Sequence, residues 1–166
     1  DYVLNVESGR PGDGVVVSRP GTGVLEITVK GLAAHASAPQ AGINAADELA
    51  HYILSLKQLE DKQKGTILTT RIIESGIENR TKSVVPNHAA GLVRVGAFSV
   101  QELDRVLNGA NALAEKPHIP GAEIRVQFKL DFPAFPETEE TARLAALAQS
   151  IYSGLDLELQ TAIATG

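Results

Sequence analysis

Two stretches of this chain alternate apolar and polar residues cleanly. In Val24–Lys30, Leu25, Ile27 and Val29 fall on one face and Glu26, Thr28 and Lys30 on the other. In Ala122–Leu130, Ile124, Val126, Phe128 and Leu130 point one way and Glu123, Arg125, Gln127 and Lys129 the other. This period of two predicts half-buried strands with those apolar sets turned inward. Thr66–Glu74 is rich in β-branched residues and predicts a third strand, although both of its faces mix Ile or Leu with Thr. Ala89–Ala97 predicts a fourth, with Gly91 and Gly96 marking a bulge or a close backbone approach. Shorter apolar runs at Asp1–Val6, Val15–Ser18 and Leu157–Ile163 are further strand candidates.

A helical period separates these strands. Ala46, Leu49, Ala50, Ile53 and Leu56 recur at helical spacing behind Asn44, whose side-chain oxygen suits an N-cap, and the helix runs to about Leu59 before a charged stretch and Gly65. Ser99-Val100-Gln101-Glu102 has the form of a capping box, followed by Leu103, Val106, Leu107, Ala110 and Leu113. Lys116-Pro117-His118-Ile119-Pro120-Gly121 breaks that helix. Thr138 begins a third, carrying Leu144, Leu147, Ala148 and Ile151 and stopped at Gly154. Between Pro20 and Phe132 the order is therefore strand, helix, strand, strand, helix, strand. That order predicts an α+β fold: a ferredoxin-like four-stranded antiparallel sheet with both helices on one face, and with Thr66–Glu74 at a sheet edge.

Composition narrows the possibilities. The 166 residues carry a net charge of −5, with no Lys/Arg cluster and no aromatic stacking series, which argues against a nucleic-acid partner. No apolar run is long enough for a membrane span, and no signal peptide opens the chain. With no cysteine, disulfides and thiolate metal sites are excluded, and the cytoplasm and the periplasm both remain open as compartments. There is no Met, and the chain opens inside one strand-like run and stops just after another, so it reads as a piece of a longer protein.

Candidate chemistry gathers in one place. Gly31-Leu32-Ala33-Ala34-His35-Ala36-Ser37-Ala38-Pro39-Gln40-Ala41-Gly42 is a loop of small residues around a single histidine. Small residues let backbone come close to a ligand or a partner chain. His35 there is either a proton donor or charge stabiliser, or a histidine that hydrogen-bonds within its own turn. Glu7, at the end of a buried strand, is either a metal or Arg partner or a solvated residue opening the Gly9–Gly14 turn. His51 reads as a helix-surface residue and His118, between two prolines, as solvated.

The segment Gly31–Ala50 resembles the "G-x-x-x-H-A…P…G-[IV]-[ND]-A" stretch of the aminoacylase/glutamate carboxypeptidase family of co-catalytic zinc peptidases. Three further stretches match in order. Asp1-Tyr2-Val3-Leu4-Asn5-Val6-Glu7 is similar to that family's "D-x-x-L-x-x-E-P", Ser83-Val84-Val85-Pro86 to its "N-x-I-P" turn, and Phe132-Pro133-Ala134-Phe135-Pro136 to the exit from its small domain. The resemblance implies that residues 20–132 are the lid, or dimerisation, domain. Residues 1–19 would end a first catalytic-domain segment and residues 133–166 would begin the returning one.

It further implies a homodimer through the lid, with strand 66–74 pairing at the edge, and a peptide or N-acyl amino acid substrate. His35 would reach the partner's active site and stabilise the tetrahedral transition state, Glu7 would be a zinc ligand, and Ser83 would touch substrate. The full-length protein would use two zinc ions, whereas this chain, lacking the other ligands, is expected to bind none and to be inactive alone. Members that cleave C-terminal glutamate carry an Asn where Ser83 stands, and arginines where Gly96 and Phe132 stand. Without that bidentate clamp the reaction class carries over and the glutamate preference does not. The other reading of the same fold is a non-catalytic regulatory or interaction module.

Overall fold

The computed structural model describes residues 14–76 and 83–164. The expected strand at Asp1–Val6 lies outside them, as does most of the Gly76–Lys82 connection. In chain order the elements are β1 (Val15–Ser18), β2 (Gly21–Lys30), β3 (Ala34–His35), a 3-10 turn (Pro39–Ala41), α1 (Ala45–Lys57), β4 (Ile67–Ser75), β5 (Val84–Val85), β6 (His88–Ala97), α2 (Val100–Ala114), β7 (Glu123–Phe132), α3 (Glu139–Ser153) and β8 (Thr161–Ile163). They form two compact units, one of residues 21–134 and one of the chain before Gly21 and after Ala134.

In the central unit four strands run in the order β4-β6-β2-β7, every neighbouring pair antiparallel. Both α1 and α2 contact this sheet, and the fold is the α+β, ferredoxin-like one expected. The core lies between helices and sheet. Leu25, Ile27 and Val29 of β2 and Val93 and Val95 of β6 meet Leu49 and Leu56 of α1 and Val106 of α2, all at 1 % exposure or less. Each such side chain contributes about 1.5–3 kcal/mol of burial. Tyr52 crosses between the helices and donates its hydroxyl to the Ala110 carbonyl at 2.9 Å.

The helix starts are the expected ones, with one change of partner. Asn44 Oδ1 accepts from Ala46 N at 3.0 Å, and Ser99 Oγ from Glu102 N at 3.2 Å. The reciprocal half of the box at Ser99 does not form. Glu102 instead accepts from Thr66 Oγ1 at 2.9 Å and Arg105 Nε at 3.0 Å and lies 3.2 Å from Lys64 Nζ. The Arg105 bond first, then those from Thr66 and Lys64, hold its carboxyl down at about 2, against the opposing effect of burial. Leu130 also departs from the alternation, being exposed. It faces Gly23, which offers no side chain to pack on, and Phe128 already fills the space over that glycine.

In the second unit β1 and β8 pair in parallel, and α3 opens on a complete capping box between Thr138 and Thr141. Here the expected stripe is only partly buried. Leu144 and Ala148 are half-buried and Leu147 and Ile151 exposed, while the buried residue is Ala145, beside the stripe. The strand expected over Leu157–Ile163 forms only at Thr161–Ile163.

Candidate functional site

The loop between β2 and α1 is held by its backbone. Leu32 and Ile43 exchange N–H···O bonds of 3.0 and 2.8 Å and close its neck. Gly31 N donates to Asn87 O at 2.8 Å, Ala36 N to Ser83 O at 2.8 Å and Ala45 N to Pro86 O at 2.9 Å, so the loop is laced along its length to the segment that precedes β6. Two glycines make the neck possible. A Cβ on Gly31 would lie 2.0 Å from the Ile43 carbonyl oxygen, and one on Gly42 would lie 2.7 Å from that of Leu32.

This lacing sets His35 opposite Val84 in the short β3–β5 ladder, with Ser83 as the next residue of β5's strand path. The two residues singled out from the sequence, His35 and Ser83, therefore lie on adjacent rungs, with Ser83 beside Ala36; both are exposed. A turn follows at once, closed by Ala38 N donating to His35 O at 2.9 Å. The His35 ring folds over that turn. Its Nδ1 accepts from Ser37 N at 3.2 Å and lies 2.8 Å from Ser37 Oγ. The local hydrogen bond considered from the sequence thus exists, and it occupies only one ring nitrogen. Nε2 makes no hydrogen bond among the described residues. Glu7 lies outside them.

A second feature is the edge formed by β4. The outward backbone groups of Leu68, its second residue, are closed by side chains of α1 and the loop after it. Leu68 N donates to Glu60 Oε1 at 2.8 Å, and Leu68 O accepts from Lys57 Nζ, which also pairs with Glu60 at 2.6 Å. Burial pushes the Glu60 carboxyl up, but the bonds from Lys57 and Leu68 N outweigh it and leave it below its ordinary range. Farther along, the register with β6 slips between Thr70 and Ile72, making a bulge at Arg71. Beyond the bulge the strand is apolar and open, with Ile72 at 44 % and Ile73 at 61 % exposure.

A third cluster was read from the sequence as two unrelated histidines. His51 of α1 and His118 of the α2–β7 connection stack with ring centroids 3.8 Å apart. Beneath them Glu48, 1 % exposed, accepts from the backbone N–H groups of His118 and Ile119. The buried carboxylate is thus satisfied by main chain and ties that connection to α1. A buried glutamate in an otherwise apolar helical stripe was the available signal. Among the described residues, no group of three His, Asp or Glu side chains lies close enough to hold a metal ion.

The chain matches the peptidase dimerisation domain family over residues 17–122. It is 25% identical over 154 residues to carboxypeptidase G2 of Pseudomonas sp. (strain RS-16), an alignment that covers 92% of this chain and 36% of that protein. In fold it is similar to aminopeptidase PepT of Bacillus cereus ATCC 10987, with a TM-score of 0.77, 16% identity, and 97% of this chain and 43% of that chain covered. It is also similar to a tripeptidase of Staphylococcus aureus subsp. aureus Mu50, with a TM-score of 0.76, 16% identity, and 96% and 42% covered. The chain spans less than half the length of each of these proteins.

Proposed function

Because this chain belongs to the peptidase dimerisation domain family, we propose that it is the dimerising lid, with flanking pieces, of a hydrolase that cleaves a peptide or amide bond. The substrate class is a peptide or an N-acyl amino acid. The observation that carries the reading is the His35 loop. A histidine is fixed on a neck of backbone bonds, its Nδ1 is used internally and its Nε2 has no hydrogen-bond partner among the described residues. An Nε2–H presented in this way can donate to the oxyanion that develops when a carbonyl is attacked, which is where a fixed donor lowers a barrier most. Ser83, on the adjacent rung, would meet the substrate beside it.

Two zinc ions are the group the family resemblance implies, with Glu7 as one ligand. Zinc would supply an activated water and polarise the carbonyl. The described residues do not make such a site, so the lid's own part is confined to orientation and to a hydrogen bond at Nε2. Dimerisation belongs to the same proposal. The β4 edge of one copy would pair antiparallel with that of a second about a two-fold axis, and His35 would be delivered toward the partner's reacting centre.

In the full-length protein, His35→Ala is expected to lower kcat by about 10²-fold or more, with KM changed little, as for a group acting mainly in the transition state. Steady-state kinetics on N-acyl amino acids and dipeptides provides the check. An unchanged kcat would contradict the role.

A further inference from the structure

We propose that Ser37 is a positioning residue for His35, fixing both its tautomer and its ring orientation. The inference rests on the reading of His35 as an oxyanion donor and adds to it the group that makes the donor. A backbone N–H can only donate, so the Ser37 N–H at 3.2 Å from Nδ1 requires a lone pair on that nitrogen. The Ser37 hydroxyl, 2.8 Å from the same atom, then donates as well. With Nδ1 held as an acceptor, the neutral ring carries its proton on Nε2, the nitrogen with no partner among the described residues.

The turn is itself fixed. Ala38 N closes it on His35 O at 2.9 Å, and Ala36 N, between the two residues, is bonded to Ser83 O at 2.8 Å. The Ser37 backbone therefore cannot drift from the ring without breaking the loop's attachment to Ser83, just before β5. Its hydroxyl is the side-chain part of a clamp whose other part is backbone, and the clamp directs the ring rather than touching substrate. The sequence offers Ser37 only as one small residue among several.

The test combines a spectroscopic and a kinetic readout. There are four histidines, so selective ¹⁵N labelling of the imidazoles gives a spectrum that single His→Gln variants can assign. In the unmodified protein His35 is expected as one neutral tautomer, protonated on Nε2. In Ser37→Ala a fraction moves to the Nδ1–H form, and Ser37→Thr, which keeps the hydroxyl, restores the original pattern. In the full-length enzyme, Ser37→Ala should lower kcat about five- to tenfold, the size of one hydrogen bond, at constant KM. In a His35→Ala background the same change should have no further effect, because it acts through the ring.

An unaltered tautomer distribution in Ser37→Ala would overturn the proposal. So would a full Ser37→Ala loss in the His35→Ala background. If instead His35→Ala itself leaves kcat intact, it is the catalytic reading that fails, and the tautomer shift still decides the positioning role.

Discussion

The two edges of the central sheet are built in opposite ways. β7 alternates as far as Phe128: Ile124, Val126 and Phe128 pack toward the helices, and Glu123, Arg125, Lys129 and Asp131 add charge along the strand. Lys129 reaches across to Glu26 at 2.7 Å. Charge spread along an edge in this way discourages another strand from adding to it. β4 is closed at Leu68 by Lys57 and Glu60, bulged at Arg71, and then left apolar through Ile72 and Ile73. Leu54 of α1 is exposed as well, at 65 %. β7 carries charge as far as Asp131 but exposes Leu130 and Phe132 at its end, whereas β4 is closed by the Lys57 and Glu60 side chains at its start and exposes Ile72 and Ile73. The second-copy contact proposed above would fall on the open part of β4, beyond the capped Leu68.

Single residues run the other way, since the closed start of β4 buries its leucine and the end of β7 exposes one. Leu68 and Leu130 are leucines on the two edge strands, at 1 % and 53 % exposure. Leu68→Ala is expected to cost about 2–5 kcal/mol, since it opens a cavity under α1 and disturbs the residue on which the cap is built. Leu130→Ala should cost less than about 0.5 kcal/mol. Denaturant melts of the two variants measure the difference, and equal losses would erase the distinction between the edges.

A smaller effect concerns the cap itself. The Glu60 carboxyl is held below its ordinary 4.5, so its contribution to stability is complete above that pH and is lost as pH falls through the lowered value. Glu102, held at about 2, behaves the same way but keeps its contribution to lower pH. Glu60→Gln should therefore lower stability at neutral pH and flatten the upper part of the acid transition, leaving the part near pH 2 in place. Melting temperature against pH for the two proteins is the measurement, and parallel profiles would show that Glu60 does not close the edge.

These features differ in how far they can be read from sequence. β7 and β2 were legible because their ladder keeps a period of two from Val24 to Lys30, its one register shift lying at the Thr22–Gly23 end. β4 was recognisable as a strand only by its β-branched residues. Its alternation looked weak because the bulge at Arg71 shifts every later side chain by one position, so Ile72 and Ile73 cannot both be explained by one face. The closure of Leu68 was invisible for another reason. Glu60 reads as a charged residue ending a helix, and nothing in the sequence states that it bends back eight residues to a backbone N–H. At the His35 loop the histidine, the two glycines and the proline were legible as a motif. The Ser37 contact was not, since a serine in a turn has many equivalent partners. At α3 the helical period was correct, but period alone does not say which apolar face is covered.

The central claim is that β4 pairs with a second copy of this chain, and light scattering of the 166-residue protein at tens of micromolar tests it most directly. A dissociation constant near 10 µM corresponds to about 7 kcal/mol of association. Thr70→Pro serves as the companion. Since Leu68 turns its N–H outward to Glu60, alternation along the ladder turns that of Thr69 toward β6 and that of Thr70 outward again. Proline at position 70 therefore removes a donor from the free side without breaking the sheet's own bonds. The expected result is a mass twice that of the monomer for the unmodified chain, and a monomer with an unchanged circular dichroism spectrum for Thr70→Pro. A monomer for the unmodified chain at that concentration, or a dimer indifferent to the proline, would contradict the account.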